Sequence, residues 1–215
     1  MRFSRSPHSA VILAAYALGA GALLIGFPNA AAPARIHEPV RWSAPIAAFM
    51  LPTAMLVTDW LLRGLCLRHP VDTQDAVDDL ATNDAIMLRF LLFVLGVHVM
   101  VLLAMEGVLQ GRAWAGQIVP VMLGLTMISI GNLLPRTRPN LAIGIRTRRM
   151  LFNRALWMRT HRSTGNLLVI CGIIIVLSAL AVPSPVGPGM ILLVGPGMLL
   201  ATCLIVWHGR RSAHD

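Results

Sequence analysis

Six apolar stretches, separated by shorter polar segments, follow one another along the chain. A helix needs about 20 residues to cross the hydrocarbon core of a membrane, and inside lipid it satisfies its own backbone hydrogen bonds. Each stretch is therefore predicted to be a spanning helix, and the fold class to be all-α, a polytopic membrane helix bundle of about six transmembrane helices. The predicted spans cover residues 9–27, 44–62, 90–109, 114–134, 166–182 and 190–207.

Composition leaves little room for a soluble domain, since 56% of the 215 residues are hydrophobic and only 13% are charged. The beginning of the chain has the basic start, apolar core and A-x-A-like end of a signal peptide. Its apolar run is longer than the usual 7–15 residues, so we expect the first helix to be retained and residues 1–30 not to be cleaved. The 3 cysteines match no metal-binding or disulfide spacing.

Basic residues are distributed unevenly between the two ends of this predicted bundle. All 18 of them are arginine. If successive spans alternate in direction, fifteen arginines fall on one face of the membrane, and only Arg35, Arg41 and Arg112 fall on the other. The positive-inside rule then predicts that both termini are cytoplasmic.

The loop between the fourth and fifth spans, residues 135–164, holds eight arginines, one histidine and no acidic residue. After a predicted N-cap at Asn153, residues 154–162 indicate a short interfacial amphipathic helix on the inner leaflet, with arginines facing anionic headgroups of the lipid bilayer. The alternative is a docking surface for an acidic protein or a phosphorylated ligand, because arginine binds carboxylate and phosphate bidentately. Direct binding of nucleic acid is not expected, since the patch is tied to the bilayer.

At and within this loop the pattern GNLLPRTRPNLAIGIRT, followed nine residues later by WMRTHRSTG, resembles the SdpI family of bacterial membrane proteins. Between residues 131 and 165 the matching positions are Gly131, Asn132, Leu134, Pro135, Pro139, Asn140, Gly144, Ile145, Arg146, Thr147, Trp157, Thr160, His161, Arg162 and Gly165. The resemblance divides the chain into a divergent three-helix membrane region, 1–110, and an SdpI-like three-helix region, 111–215, that carries the Arg-rich loop.

The resemblance implies a protein of toxin immunity or envelope signalling in the bacterial cytoplasmic (inner) membrane. It implies a secreted peptide toxin and a soluble transcriptional repressor as partners. No enzymatic activity and no cofactor are expected. The residues expected to bind partner or lipid are Asn132, Arg138, Asn140, Arg146, Thr147, Trp157, Thr160, His161 and Arg162.

Three ionisable residues, Asp59, His98 and Glu106, fall in or near the second and third spans. Such residues are costly in a membrane and often functional, so a small proton- or ion-coupled transporter that uses His98 and Glu106 is the alternative function. The structural alternative is that Asp59 pairs with Arg63 one turn later, His98 donates a hydrogen bond between helices and Glu106 lies at the outer boundary. Acidic residues at 72–84 are expected to form a solvated face that partly neutralises the Arg-rich loop.

Overall fold

A computed structural model describes residues 6–25, 40–66, 74–140, 143, 145, 148–181, 197 and 201–204. Regular structure in these residues is entirely helical. The helices are α1 (Pro7–Ile25), α2 (Val40–Cys66), α3 (Gln74–Met105), α4 (Ala115–Leu133), a 3-10 turn (Leu134–Arg136), α5 (Arg148–Leu151) and α6 (Arg154–Ala181).

Five of these helices are long and apolar enough to cross a membrane, which confirms the predicted membrane helix bundle. They are α1, α2, α3, α4 and α6. The sixth predicted span, 190–207, lies mostly outside the described residues, although Gly197 and residues 201–204 are helical. The helix α3 begins 16 residues before the predicted span at residue 90, because hydropathy detects only the apolar part of a helix and misses its polar first turns.

The first three helices pack on one another around a small apolar core. The buried side chains Ile12, Ala15, Met55, Met87 and Leu91 form its centre. Close packing of these side chains holds the three helices together.

The helices α4 and α6 pack through two pairs of facing glycines. A Cβ built on Gly124 would lie 2.6 Å from the carbonyl oxygen of Gly172, and one built on Gly131 would lie 2.7 Å from that of Gly165. The glycines are seven residues apart in each helix, a spacing that keeps them on one face. Close backbone approach at small residues is a principal way in which helices associate in lipid, where apolar side chains gain little by leaving the bilayer. We call these four residues the glycine seam.

One predicted element is wrong. Residues 154–162 do not form a separate interfacial helix but are the first turns of α6, which continues without interruption to Ala181. The predicted N-cap is confirmed, since the Leu156 N–H donates to Asn153 Oδ1 at 3.0 Å. The helix passes through residues 163–166, which have modest helix propensity, because Gly165 packs there against Gly131 and Pro135.

Substitution Gly124→Ala tests the seam. The added methyl group has no space, so we expect a loss of about 1–3 kcal/mol of stability and a lower midpoint of thermal denaturation in detergent micelles. Gly21→Ala in α1 is the matched control, because a Cβ there meets nothing within 4 Å. Equal denaturation midpoints for the two variants would contradict the close approach of α4 and α6.

Candidate functional site

Several helix ends meet at one end of the bundle. His8 at the start of α1 contacts Asp59 near the end of α2 and the backbone of Asp84 in α3. The segment after α4 also reaches α3, where Asn140 Nδ2 donates to Asn83 Oδ1 at 3.5 Å. Among the described residues, the start of α1, the end of α2, the first part of α3 and the segment after α4 therefore lie together, as predicted, whereas the C-terminal tail with Arg210 and Arg211 lies outside the described residues. We call this the basic end of the bundle.

The chain leaving α4 is fastened to α6 through Thr137. Its hydroxyl donates to the Leu134 carbonyl at 2.7 Å, which closes the 3-10 turn. Its own carbonyl accepts the indole N–H of Trp157 at 3.0 Å. Both residues are buried, and a buried carbonyl that lost this donor would be costly. Trp157 thus fixes the path of the loop.

Trp157 and His161 stack on each other one helical turn apart, with ring centroids 3.9 Å apart and an interplanar angle of 14°. His161 Nδ1 lies 3.0 Å from the Trp157 carbonyl oxygen, which can only accept a hydrogen bond. His161 Nε2 lies 3.2 Å from the Ile145 N–H, which can only donate. The contacts therefore fit a neutral imidazole that carries its proton on Nδ1.

Asn140 folds the loop locally with its side-chain amide. The Nδ2 group donates to the Arg138 carbonyl at 2.8 Å, and Oδ1 accepts the Ile143 N–H at 2.8 Å. Side-chain bonds of this kind replace the backbone bonds that a loop lacks. Asn140, Trp157 and His161 therefore support the loop from within.

The predicted binding residues divide into two groups in the structure. Thr160, Trp157 and His161 are buried, whereas Asn132 and Arg162 are exposed. Arg138 and Asn140 are half-buried. Arg146 and Thr147 lie outside the described residues, as does Asp72 of the predicted acidic face. Sequence reasoning missed Thr137, whose role depends on a contact with Trp157 twenty residues away.

Comparison with known protein families matches a part of the chain that includes the loop at this end. Residues 136–208 match the SdpI/YfhL protein family. This part of the chain is similar to the SdpI family. The resemblance drawn from residues 131–165 is thus confirmed, and the match begins at Arg136, directly after α4. No curated protein and no solved structure matches the chain.

The helices α1 to α3 of this SdpI-like protein lie before the matched region. They contain a cluster of polar side chains, His8, Asp59 and Arg63, which we call the polar node. The predicted ion pair is confirmed, with Arg63 Nε 2.8 Å from Asp59 Oδ2. A third member, His8, was not predicted. Its Nε2 lies 3.0 Å from the Asp84 carbonyl and must donate to it.

The second ring nitrogen of His8 has two neighbours of opposite character. Nδ1 lies 2.8 Å from Asp59 Oδ1 and 2.7 Å from Arg63 Nη2. A neutral ring accepts from the arginine, and a protonated ring donates to the carboxylate. In both cases the node joins α1, α2 and α3 at the basic end.

His98, in the middle of α3, is fully buried and its Nε2 donates to the Ala15 carbonyl of α1 at 3.1 Å. This is the inter-helix hydrogen bond expected as the alternative to a transport role. Its Nδ1 has no hydrogen-bond partner among the described residues. Glu106 follows the last residue of α3, at the opposite end from His8. The described residues include no group of three or more His, Cys, Asp or Glu side chains placed to hold a metal ion.

Substitution Trp157→Phe tests the support of the loop. It keeps an aromatic ring against His161 but leaves the buried Thr137 carbonyl without its donor, so we expect about 1–3 kcal/mol of destabilisation. Trypsin should also cleave faster at the arginines of residues 135–164. The control is Trp60→Phe, because Trp60 is 71% exposed. Unchanged cleavage in Trp157→Phe would contradict the role of the indole N–H.

Substitution Asp59→Asn tests the polar node. The amide cannot balance the positive charge of Arg63 while also serving His8, so stability should fall by about 1–3 kcal/mol. The measurement is the denaturation midpoint in detergent. Asp84→Asn is the matched control, since Asp84 contributes its backbone carbonyl and its side chain is exposed. Similar midpoints in both variants would refute a joining role for Asp59.

Proposed function

We propose that this SdpI-like membrane protein serves toxin immunity or envelope signalling through its basic end, without enzymatic activity or a cofactor. Its place is the bacterial cytoplasmic membrane, with both termini in the cytoplasm. The partners are a secreted peptide toxin and a soluble transcriptional repressor, and the protein does not bind nucleic acid directly. Support comes from the family match over residues 136–208 and from the unequal distribution of arginine.

The observation that carries the proposal is that the basic end has buried residues that hold the loop and exposed residues that do not hold it. Trp157 and His161 are buried and fasten the loop to α6, while Arg154, Arg159 and Arg162 project from the exposed side of the same helix. A surface whose backbone is held rigidly loses less entropy when it binds. Arginine adds bidentate recognition of carboxylate and phosphate groups.

This division changes the role of several predicted residues. His161, Trp157 and Thr160 act by holding the loop, because their buried side chains cannot meet a partner directly. The residues left to contact a partner or the lipid are the arginines and Asn132. We therefore propose that the exposed arginines recognise the bound molecule, and that the buried Trp157 and His161 orient the loop.

The rival function, ion-coupled transport, rests on one observation. The Nδ1 atom of His98 is buried without a hydrogen-bond partner among the described residues, and unsatisfied polar atoms in a bilayer often mark a functional path. Transport would require His98 and Glu106 for activity, whereas immunity or signalling would not.

A protection assay separates these functions. A strain lacking the gene is complemented with wild-type protein, Arg146→Ala or His98→Ala, and challenged with culture medium from toxin-producing cells. Loss of one bidentate arginine contact costs about 1–3 kcal/mol, so Arg146→Ala should raise the medium dilution needed for survival about tenfold. His98→Ala should protect like the wild type at equal membrane abundance.

The opposite pattern, with protection lost in His98→Ala and kept in Arg146→Ala, would reject the proposal in favour of transport. Glu106→Gln provides a second test of transport, since it removes the ionisable group and preserves the shape of the side chain. His161→Ala should behave like Arg146→Ala in survival, but should also show faster tryptic cleavage of the loop because it removes the acceptor of the Ile145 N–H.

A further inference from the structure

On the outer face of α6, arginines and apolar residues line up in two columns that run parallel to the helix axis. Arg159 and Leu177 are 18 residues apart, as are Arg162 and Leu180, and 18 residues make about five turns of an α-helix. Leu177 is 60% exposed and Leu180 is 64% exposed. Each arginine therefore lies directly in line with an exposed leucine.

The columns also contain exposed isoleucines between their ends. Ile170 follows Arg159 by 11 residues and Ile173 follows Arg162 by the same number, which is about three turns. They are 55% and 43% exposed. A continuous row of exposed branched aliphatic side chains on a spanning helix is the surface that meets lipid tails.

The length of α6 sets the depth of the arginines along these rows. The 20 residues from Arg162 to Ala181 extend about 30 Å at 1.5 Å per residue, which equals the thickness of the hydrocarbon core. Arg162 then lies at the boundary of the core, and Arg159 lies about 4.5 Å farther out. Phosphate groups of phospholipids occupy this level.

We propose that Arg159 and Arg162 form a binding site for the phosphate headgroup of an anionic phospholipid whose tails lie along Ile170, Ile173, Leu177 and Leu180. Their bidentate donors fit phosphate oxygens, and the aliphatic rows fit acyl chains. A soluble acidic partner would meet the arginines but leave the aliphatic rows farther along the same face without a role. This site lies on the lipid side of α6 and is independent of whether the protein serves immunity or signalling.

The experiment measures lipids bound to the full-length protein by native mass spectrometry in detergent. The wild type is titrated with phosphatidylglycerol and, separately, with phosphatidylcholine of the same acyl chains. A basic side chain near an anionic surface contributes about 1 kcal/mol, so the double variant R159Q/R162Q should bind phosphatidylglycerol about 30-fold more weakly than the wild type. Its binding of phosphatidylcholine should not change.

Two further variants separate the site from general charge and from misfolding. Arg112→Gln removes an exposed arginine beyond the far end of α3, and it should leave phosphatidylglycerol binding unchanged. R159K/R162K keeps both charges and should retain most of the binding, even if the glutamine variant loses stability.

Three outcomes would overturn the proposal. One is equal affinity of the wild type for the two lipids. Another is wild-type affinity for phosphatidylglycerol in R159Q/R162Q. The third is preferential binding of poly-glutamate that R159Q/R162Q loses while lipid binding persists, because this would assign the arginine face to a soluble acidic protein.

Discussion

The close approach of α4 and α6 at the glycine seam is the constraint on which the C-terminal half depends. Lipid gives apolar side chains little reason to leave it, so helices in a membrane associate where their surfaces fit closely. Gly124 faces Gly172 and Gly131 faces Gly165, each with no room for a methyl group. The second pair lies at the basic end, so the same contact that joins the helices sets the distance that the following loop must cross.

That distance explains the architecture of the candidate site. With α4 and α6 held together, Thr137 comes close enough to accept the indole N–H of Trp157, and Ile145 comes close enough to donate to His161. The motif residues that first suggested a binding surface are largely its internal support. The glycines of the motif have a similar explanation, since Gly131 and Gly165 are partners in the seam.

The N-terminal helices are joined by different chemistry. Here the ends of α1, α2 and α3 meet at His8, Asp59 and Arg63, where each polar group has a partner that offsets the cost of its partial burial. Arg89 continues this connection toward α4, with its Nε donating to Ser129 Oγ at 2.6 Å. Helices that share no glycine seam are thus held at the basic end by charge and hydrogen bonding, and in their middle by closely packed apolar side chains.

The sequence by itself determined the all-helical membrane bundle, the approximate spans of its described helices, the shared end of most described arginines and the resemblance at residues 131–165. These properties follow from hydropathy, alternation of spans and fixed local spacing, so they can be derived without knowing which helices touch. The pair of Asp59 and Arg63 was predictable for the same reason, since i and i+4 are neighbours on any helix.

Only the tertiary structure decided which motif residues face outward and which are buried. Residues 154–162 look amphipathic and independent in sequence, yet packing at Gly165 makes them part of α6. The partner of Trp157 is twenty residues away and the carboxylate beside His8 is 51 residues away. Long-range contacts of this kind depend on the register between packed helices, which a single sequence does not reveal. That register decides which residues of the basic end are buried and support the loop, and which arginines are exposed.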